Sequence, residues 1–164
     1  MSKRKVSCIT VNTDASYHPV HGVGGYAFYI ICDLFKIQKG GHFKVNPKSA
    51  MEAEMMCMAN AVHTLLNQDL PQTKLIVINS DCLYSFDRIG LKKQGVGRLI
   101  AQILKKIRFK TSELGDTKIE FRHVKAHTGS KDSRSRVNEW CDNEAKKWMR
   151  SIIPRNSKVD QTGL

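Results

Sequence analysis

The chain has 164 residues and a formal net charge of +12, from 27 Lys and Arg against 15 Asp and Glu. That length suits one domain with a sizeable core, and no break in composition calls for a second. No apolar run approaches the roughly 18 residues that span a bilayer, and the opening Met-Ser-Lys-Arg-Lys leads into a strand-like segment, so a membrane protein and a secretory signal are both excluded.

The surplus of positive charge favours a polyanionic partner, nucleic acid first, through phosphate contacts and counterion release. Solubility alone needs less charge in a small domain. Cys8, Cys32, Cys57, Cys82 and Cys141 are odd in number, widely spaced and set in apolar or helical surroundings, which reads as reduced core thiols in a cytoplasmic protein rather than a disulfide framework.

Residues 5–13 are rich in β-branched types and predict a strand ending at Asp14, followed by a turn-rich loop over 15–24. Residues 25–32 and 36–45 predict two further strands around Asp33-Leu34-Phe35, opening an antiparallel meander. Over 49–67, Ala50, Glu54, Cys57, Met58, Ala61 and Leu65 recur by threes and fours and predict a helix, with Ser49 and Glu52 as a capping box. The run Leu-Ile-Val-Ile at 75–78 suits a strand buried on both faces, and Asp81 lies just past its end.

A short helix is expected over 83–89 and a longer one over 95–111, with Leu99, Ile100, Ile103, Leu104 and Ile107 as its core face. Residues 117–124 alternate as a strand does. A polar loop over 129–136 leads to a last helix from about 137 to 151, with Trp140, Cys141, Ala145 and Trp148 on its buried side. The order of elements predicts an α/β fold, a mixed sheet flanked by helices, with one domain over 1–153 and a polar, poorly ordered tail over 154–164.

Asp14 and Asp81 follow the C-terminal ends of apolar strands, where open α/β sheets place their ligands. Either alone also fits a turn or a helix cap. Glu54 is more informative, because it shares the apolar stripe of its helix, where a lone carboxylate is costly to bury without a partner or a metal. Glu52 serves the helix end instead. Asp142 lies in line with Ala145 and Met149, and Lys146 is the cation at helical spacing, so an ion pair is its alternative role.

Carboxylates that converge repel one another unless divalent cations bind between them. Hard oxygen ligands favour Mg²⁺ or Mn²⁺. A zinc site from His123, His127 and Cys141 is disfavoured, since there is no CxxC pair and no standard ligand spacing.

Four segments together resemble the type I ribonuclease H family. They are Thr13-Asp14-Ala15-Ser16 with Gly24-Gly25-Tyr26, Ala53-Glu54, Asn79-Ser80-Asp81, and His123-Val124-Lys125-Ala126-His127-Thr128-Gly129 with Cys141-Asp142-Asn143-Glu144-Ala145. The resemblance covers about residues 5–150 and implies a ribonuclease H-like fold, with a five-stranded sheet of a β-meander plus parallel strands. It implies an endonuclease that hydrolyses the RNA strand of RNA·DNA hybrids with two Mg²⁺ ions, replaceable by Mn²⁺, and leaves a 5′-phosphate. By the same resemblance, Asp14 bridges both ions, Glu54 and Asp81 hold the ion on the nucleophile side, Asp142 helps hold the other, and His127 assists proton movement or product release.

Discrimination of RNA from DNA runs through the 2′-OH, while the other strand is held by its phosphates. Where the family often has Asn-Asn or Asn-Gln before the helix glutamate, this chain has Ala50-Met51-Glu52, so Asn46, Asn79 or backbone groups would substitute. Ser16 and Lys125, within the matched motifs, and Lys131, Arg134 and Arg136, in the loop over 128–136, complete the expected contacts to the hybrid. The Trp-rich basic protrusion of some members has no counterpart. Lys92, Lys93, Arg98, Lys105, Lys106, Arg108 and Lys110 nevertheless gather cations there, as a solvated helix face or as a hybrid-binding one.

Rival readings are a junction resolvase or a 3′ to 5′ exonuclease of the same superfamily, and a noncatalytic hybrid-binding module. The exonucleases usually show Asp-x-Glu in the first strand, whereas this chain has Asp14-Ala15-Ser16. A pure binder gains nothing from negative charge clustered near phosphates. Beginning at Met1 without a polymerase segment, the chain reads as a free-standing monomer.

Overall fold

Five strands form one mixed sheet in the order β3-β2-β1-β4-β5. In the computed structural model, which describes residues 2–81, 95–124 and 132–154, these are β1 (Ile9–His18), β2 (Val23–Cys32), β3 (Phe35–His42), β4 (Leu75–Ser80) and β5 (Lys118–His123). Three helices accompany them among the described residues: α1 (Ala50–Leu66), α2 (Gly95–Thr111) and α3 (Ser133–Ser151). The first three strands pair antiparallel, while β4 pairs parallel to β1, and β5 to β4.

Strand alternation sorts the side chains between two layers. Ile9, Val11, Phe28, Ile30, Ile76 and Ile78 pack against Met55, Met58, Val62 and Leu65 of α1 and Ile100, Ile103, Leu104 and Ile107 of α2. On the opposite face Ala27, with Tyr29 beside it, meets Cys141, Ala145 and Trp140 of α3. The expected α/β architecture is therefore present, with α1 and α2 on one face and α3 on the other.

Two boundaries differ from the sequence expectation in ways that matter to the site. First, β1 does not end at Asp14 but runs to His18, because its ladder with β2 continues from Thr10↔Ile31 to His18↔Val23 and holds turn-type residues extended. Asp14 thus sits mid-strand, opposite Ala27. Second, α3 begins at Ser133 rather than near residue 137, because the Asp132 side chain caps it by accepting the Ser135 N–H at 2.7 Å. Arg134 and Arg136 therefore lie on helix rather than in a long loop.

Smaller differences follow from burial. Leu99 is 49 % exposed and does not join the core face of α2. β3 stops at His42, after which Phe43 is buried and Val45 is exposed. Cys32, Cys57 and Cys141 are buried free thiols, and Cys8 is a half-buried one. The helix expected over 83–89, Cys82, and the tail beyond Pro154 lie outside the described residues.

α3 lies unusually close to the sheet, and glycines permit it. A Cβ at Gly25 would run into the Ala145 carbonyl oxygen and the Met149 amide nitrogen, with Trp148 Cβ only 2.9 Å away. The absent side chain lets the backbone of α3 sit directly on β2 and brings Asp142 near Asp14.

Candidate active site

Three elements deliver three carboxylates to one point. Asp14 comes from β1, Asp81 from the residue after β4, and Glu54 from the second turn of α1. Oxygen atoms of all three lie within 4.8 Å of one another. No other such group of three metal-binding side chains occurs among the described residues.

Hydrogen bonds fix each member. The Ala15 N–H donates to both Asp14 Oδ1 (2.9 Å) and Glu54 Oε1 (3.2 Å), tying the helix carboxylate to the strand. One turn further along α1, the Cys57 thiol donates to the main-chain oxygens of Asp14 (3.2 Å) and Ala27 (3.3 Å), so helix and strands are stitched at the level of the site. His123 Nε2 meets the Asp81 carbonyl oxygen at 2.9 Å, which assigns it as a donor, and the Val124 N–H bonds to Ser80 O. β5 thereby braces the end of β4.

Glu54 is only 8 % exposed. Glu52, two residues earlier, serves the helix end as expected: its N–H donates to Ser49 Oγ (3.1 Å), and its carboxylate accepts the Lys48 N–H (3.4 Å) rather than that of Ser49.

Electrostatics set the chemistry of the cluster. Burial pushes the Asp14 carboxyl up to about 8, helped by the charges of Asp81 and Asp142. Burial also raises Asp81, with Asp142 adding to it. Such a group holds its full negative charge only when a cation joins it. The donor set is all oxygen, which fits a hard divalent ion such as Mg²⁺ or Mn²⁺. The rival zinc ligand Cys141 is buried, its thiol directed to Asn12 O at 3.9 Å and its ionisation strongly suppressed by burial.

Asp142 is the fourth expected carboxylate. It stands near enough to raise Asp14 and Asp81 but outside the group of three, and Lys146 Nζ holds its Oδ2 at 2.8 Å. The other expected residues are scattered. Ser16, half-buried on β1, donates to Met149 Sδ at 3.3 Å. Asn46 is exposed ahead of α1, and Arg134 and Arg136 are exposed at the start of α3. Arg98, Lys105, Lys106, Arg108 and Lys110 are exposed along α2. His127, Lys125 and Lys131, together with Lys92 and Lys93, lie outside the described residues.

Asn79 is placed otherwise than a sugar-binding residue would be. It is 3 % exposed and donates its amide to Asn12 Oδ1 at 2.9 Å, while Asn12 Nδ2 donates to Tyr29 O. Asn12 and Asn79 are register partners across the parallel pair. Each stands two residues before a carboxylate of the site, so their bridge aligns Asp14 with Asp81. The shared pattern, Asn-Thr-Asp in one strand and Asn-Ser-Asp in the other, is the sequence signal for it. Asn79→Ala should cost about 1–3 kcal/mol in urea denaturation, because it strands the buried Asn12 acceptor; an unchanged midpoint would refute the bridge.

Comparison with known proteins agrees with this geometry. The family model described as RNase H matches residues 7–150. Among solved structures, the chain is similar to RNase H1 from the halophilic archaeon Halobacterium salinarum NRC-1, with a TM-score of 0.54 and 12 % sequence identity over 88 % of this chain and 99 % of that one. At that identity the likeness bears on the fold. No curated protein matches the chain by sequence. Since the matched segment carries all five strands, all but the last residue of α3, and the three gathered carboxylates, the chain belongs to the RNase H family.

Proposed function

We propose that this protein is an endoribonuclease that hydrolyses the RNA strand of RNA·DNA hybrids by two-metal-ion catalysis and leaves a 5′-phosphate. The convergence of Asp14, Glu54 and Asp81 within 4.8 Å carries the proposal. Asp14, Glu54 and Asp81 would hold one Mg²⁺, or Mn²⁺ in its place, and Asp142 would join Asp14 in holding a second. When bound, the ions supply the Lewis acidity that phosphodiester hydrolysis needs and the positive charge that lets four carboxylates share a site.

The chain's own residues do the remaining work. Ala15 N–H orients the Asp14 and Glu54 carboxylates, Cys57 ties α1 to the strands beside them, and His127 moves a proton or aids product release. Exposed Arg98, Lys105, Lys106 and Arg108 of α2, with Arg134 and Arg136 of α3, suit contacts to the phosphates. Lys125 and Lys131 join them. With Asn79 committed to Asn12, recognition of the 2′-OH falls to Asn46, Ser16 and backbone groups. The free thiols fit a reducing cytoplasm. No described helix is long and apolar enough to cross a membrane.

A substrate panel tests the proposal: end-labelled RNA·DNA hybrid, single-stranded RNA, double-stranded RNA and double-stranded DNA, each with Mg²⁺. Cutting confined to the RNA of the hybrid is expected. Cut DNA would indicate a resolvase-like enzyme, and tight binding of an intact hybrid a noncatalytic module. Within the site, Glu54→Gln should lower kcat by more than the roughly 10–100-fold typical of losing an outer-sphere partner. Glu52→Gln should stay within about threefold of the original rate, since capping-box changes act on helix stability at about 1 kcal/mol. Equal losses in the two variants would overturn the separation of their roles.

A further inference from the structure

The fourth carboxylate is near the site yet not in it, and a cation of the protein engages it. Cys141 and Ala145 are pinned on the sheet with 1 % and 0 % exposure, so the rotation of α3 is fixed. Asp142 and Lys146 are one turn apart along the same helix edge and form a 2.8 Å ion pair with side chains 25 % and 36 % exposed. The thiol of the neighbouring Cys141 reaches Asn12 O at 3.9 Å, two residues before Asp14, so Asp142 borders the cluster, and its charge raises both Asp14 and Asp81.

We propose that Lys146 holds Asp142 in reserve: its ammonium takes the place on that carboxylate that a divalent cation would otherwise occupy, so the ion pair and cation binding compete. The inference rests on the metal-centre reading above and makes Lys146 a positioning residue. Two effects act in the same direction. A carboxylate oxygen engaged by an ammonium at 2.8 Å is a poorer ligand for a second cation. A fixed positive charge beside the cluster also repels an incoming divalent ion. In the metal-free protein the same charge offsets part of the repulsion among the carboxylates. Lys146 therefore stabilises the empty site and weakens the filled one.

The test is Mn²⁺ binding to the whole protein without nucleic acid, measured by calorimetry, alongside melting temperatures with and without Mn²⁺. Lys146→Met keeps the apolar stem and removes the charge. It should lower the Mn²⁺ dissociation constant by about two- to fivefold, within the range of partly exposed ion pairs. The metal-free melting temperature should fall, and the gap to the unsubstituted protein should close at saturating Mn²⁺. Lys146→Gln, gentler on the helix, should shift binding in the same direction by less, and Lys146→Arg should leave it near the original. An unchanged or weaker Mn²⁺ affinity in Lys146→Met, or an equal drop of both melting temperatures, would overturn the inference while leaving the metal centre intact. No Mn²⁺ binding by the unsubstituted protein would overturn the metal centre and the inference with it.

Discussion

Asp14→Asn is expected to abolish cleavage of an RNA·DNA hybrid and, at the same time, to stabilise the metal-free protein. The first effect follows from position: Asp14 lies within 4.8 Å of both other carboxylates of the cluster, and in the proposed function both ions depend on it. Loss of a bridging ligand removes several kcal/mol of transition-state stabilisation, on the order of 1,000-fold or more in rate. The second follows from burial. Asp14 is raised from 3.8 to about 8, so its charged form is disfavoured in the fold. An amide of the same shape removes that penalty. A general folding defect would lower stability and activity together, whereas opposite signs identify a ligand.

The same shift gives a pH dependence with a definite sign. Between the ordinary value of 3.8 and about 8, folded Asp14 retains a proton that the unfolded chain has lost. Metal-free stability therefore falls as pH rises through that window, by up to about 1.4 kcal/mol per pH unit from this group, and the fall stops above it. Cation binding must expel the proton, so metal affinity rises over the same interval. In Asp14→Asn this contribution to the slope should be absent. Urea denaturation at several pH values, without metal, measures it.

Gly25→Ala is expected to be strongly damaging for a change of a single methyl group. The new Cβ would meet the Ala145 oxygen and the Met149 nitrogen, main-chain atoms that cannot rotate aside. α3 must then move off β2. Overpacking usually costs about 1–3 kcal/mol, and the rigid neighbours place this case at or above about 3. Activity should fall further than stability accounts for, because α3 carries Asp142 and a displacement near 1 Å can cost about 100-fold. Gly40→Ala is the control. There a Cβ would approach Glu144 Cγ and Trp148 Nε1 at 2.8 Å, side-chain atoms that can shift, so a smaller loss is expected. Equal losses would contradict the close packing of backbone at Gly25.

Much of the fold was legible because local and tertiary preferences coincide. α2 spans the expected residues, since its apolar stripe meets the core and its polar face meets water. The capping box of α1 and the apolar run of β4 were legible for the same reason. β1 was not, because Ala15–His18 would form a loop on their own and are strand only through β2. The start of α3 was misplaced because polar residues 133–136 carry no apolar periodicity, and Asp132 alone marks the end.

The site divides likewise. Asp81 could be found because it follows an apolar strand and Glu54 because it sits on an otherwise apolar stripe, whereas Asp14 reads as a strand end although it lies mid-strand. Lys146 was visible as the cation at i+4. The Asn12–Asn79 bridge joins residues 67 apart, and only the echo of Asn-x-Asp in two strands hinted at it. Asn79 reads as a substrate contact until β4 is laid beside β1.

The most direct measurement is a gel assay of a hybrid with 5′-labelled RNA, comparing Mg²⁺ with EDTA and the unsubstituted protein with Asp14→Asn. The expected result is metal-dependent cutting of the RNA at internal positions, lost with EDTA and lost in Asp14→Asn although that variant still folds and binds the hybrid. Cutting that persists in EDTA, or a fully active Asp14→Asn, would contradict a metal centre built on Asp14, Glu54 and Asp81.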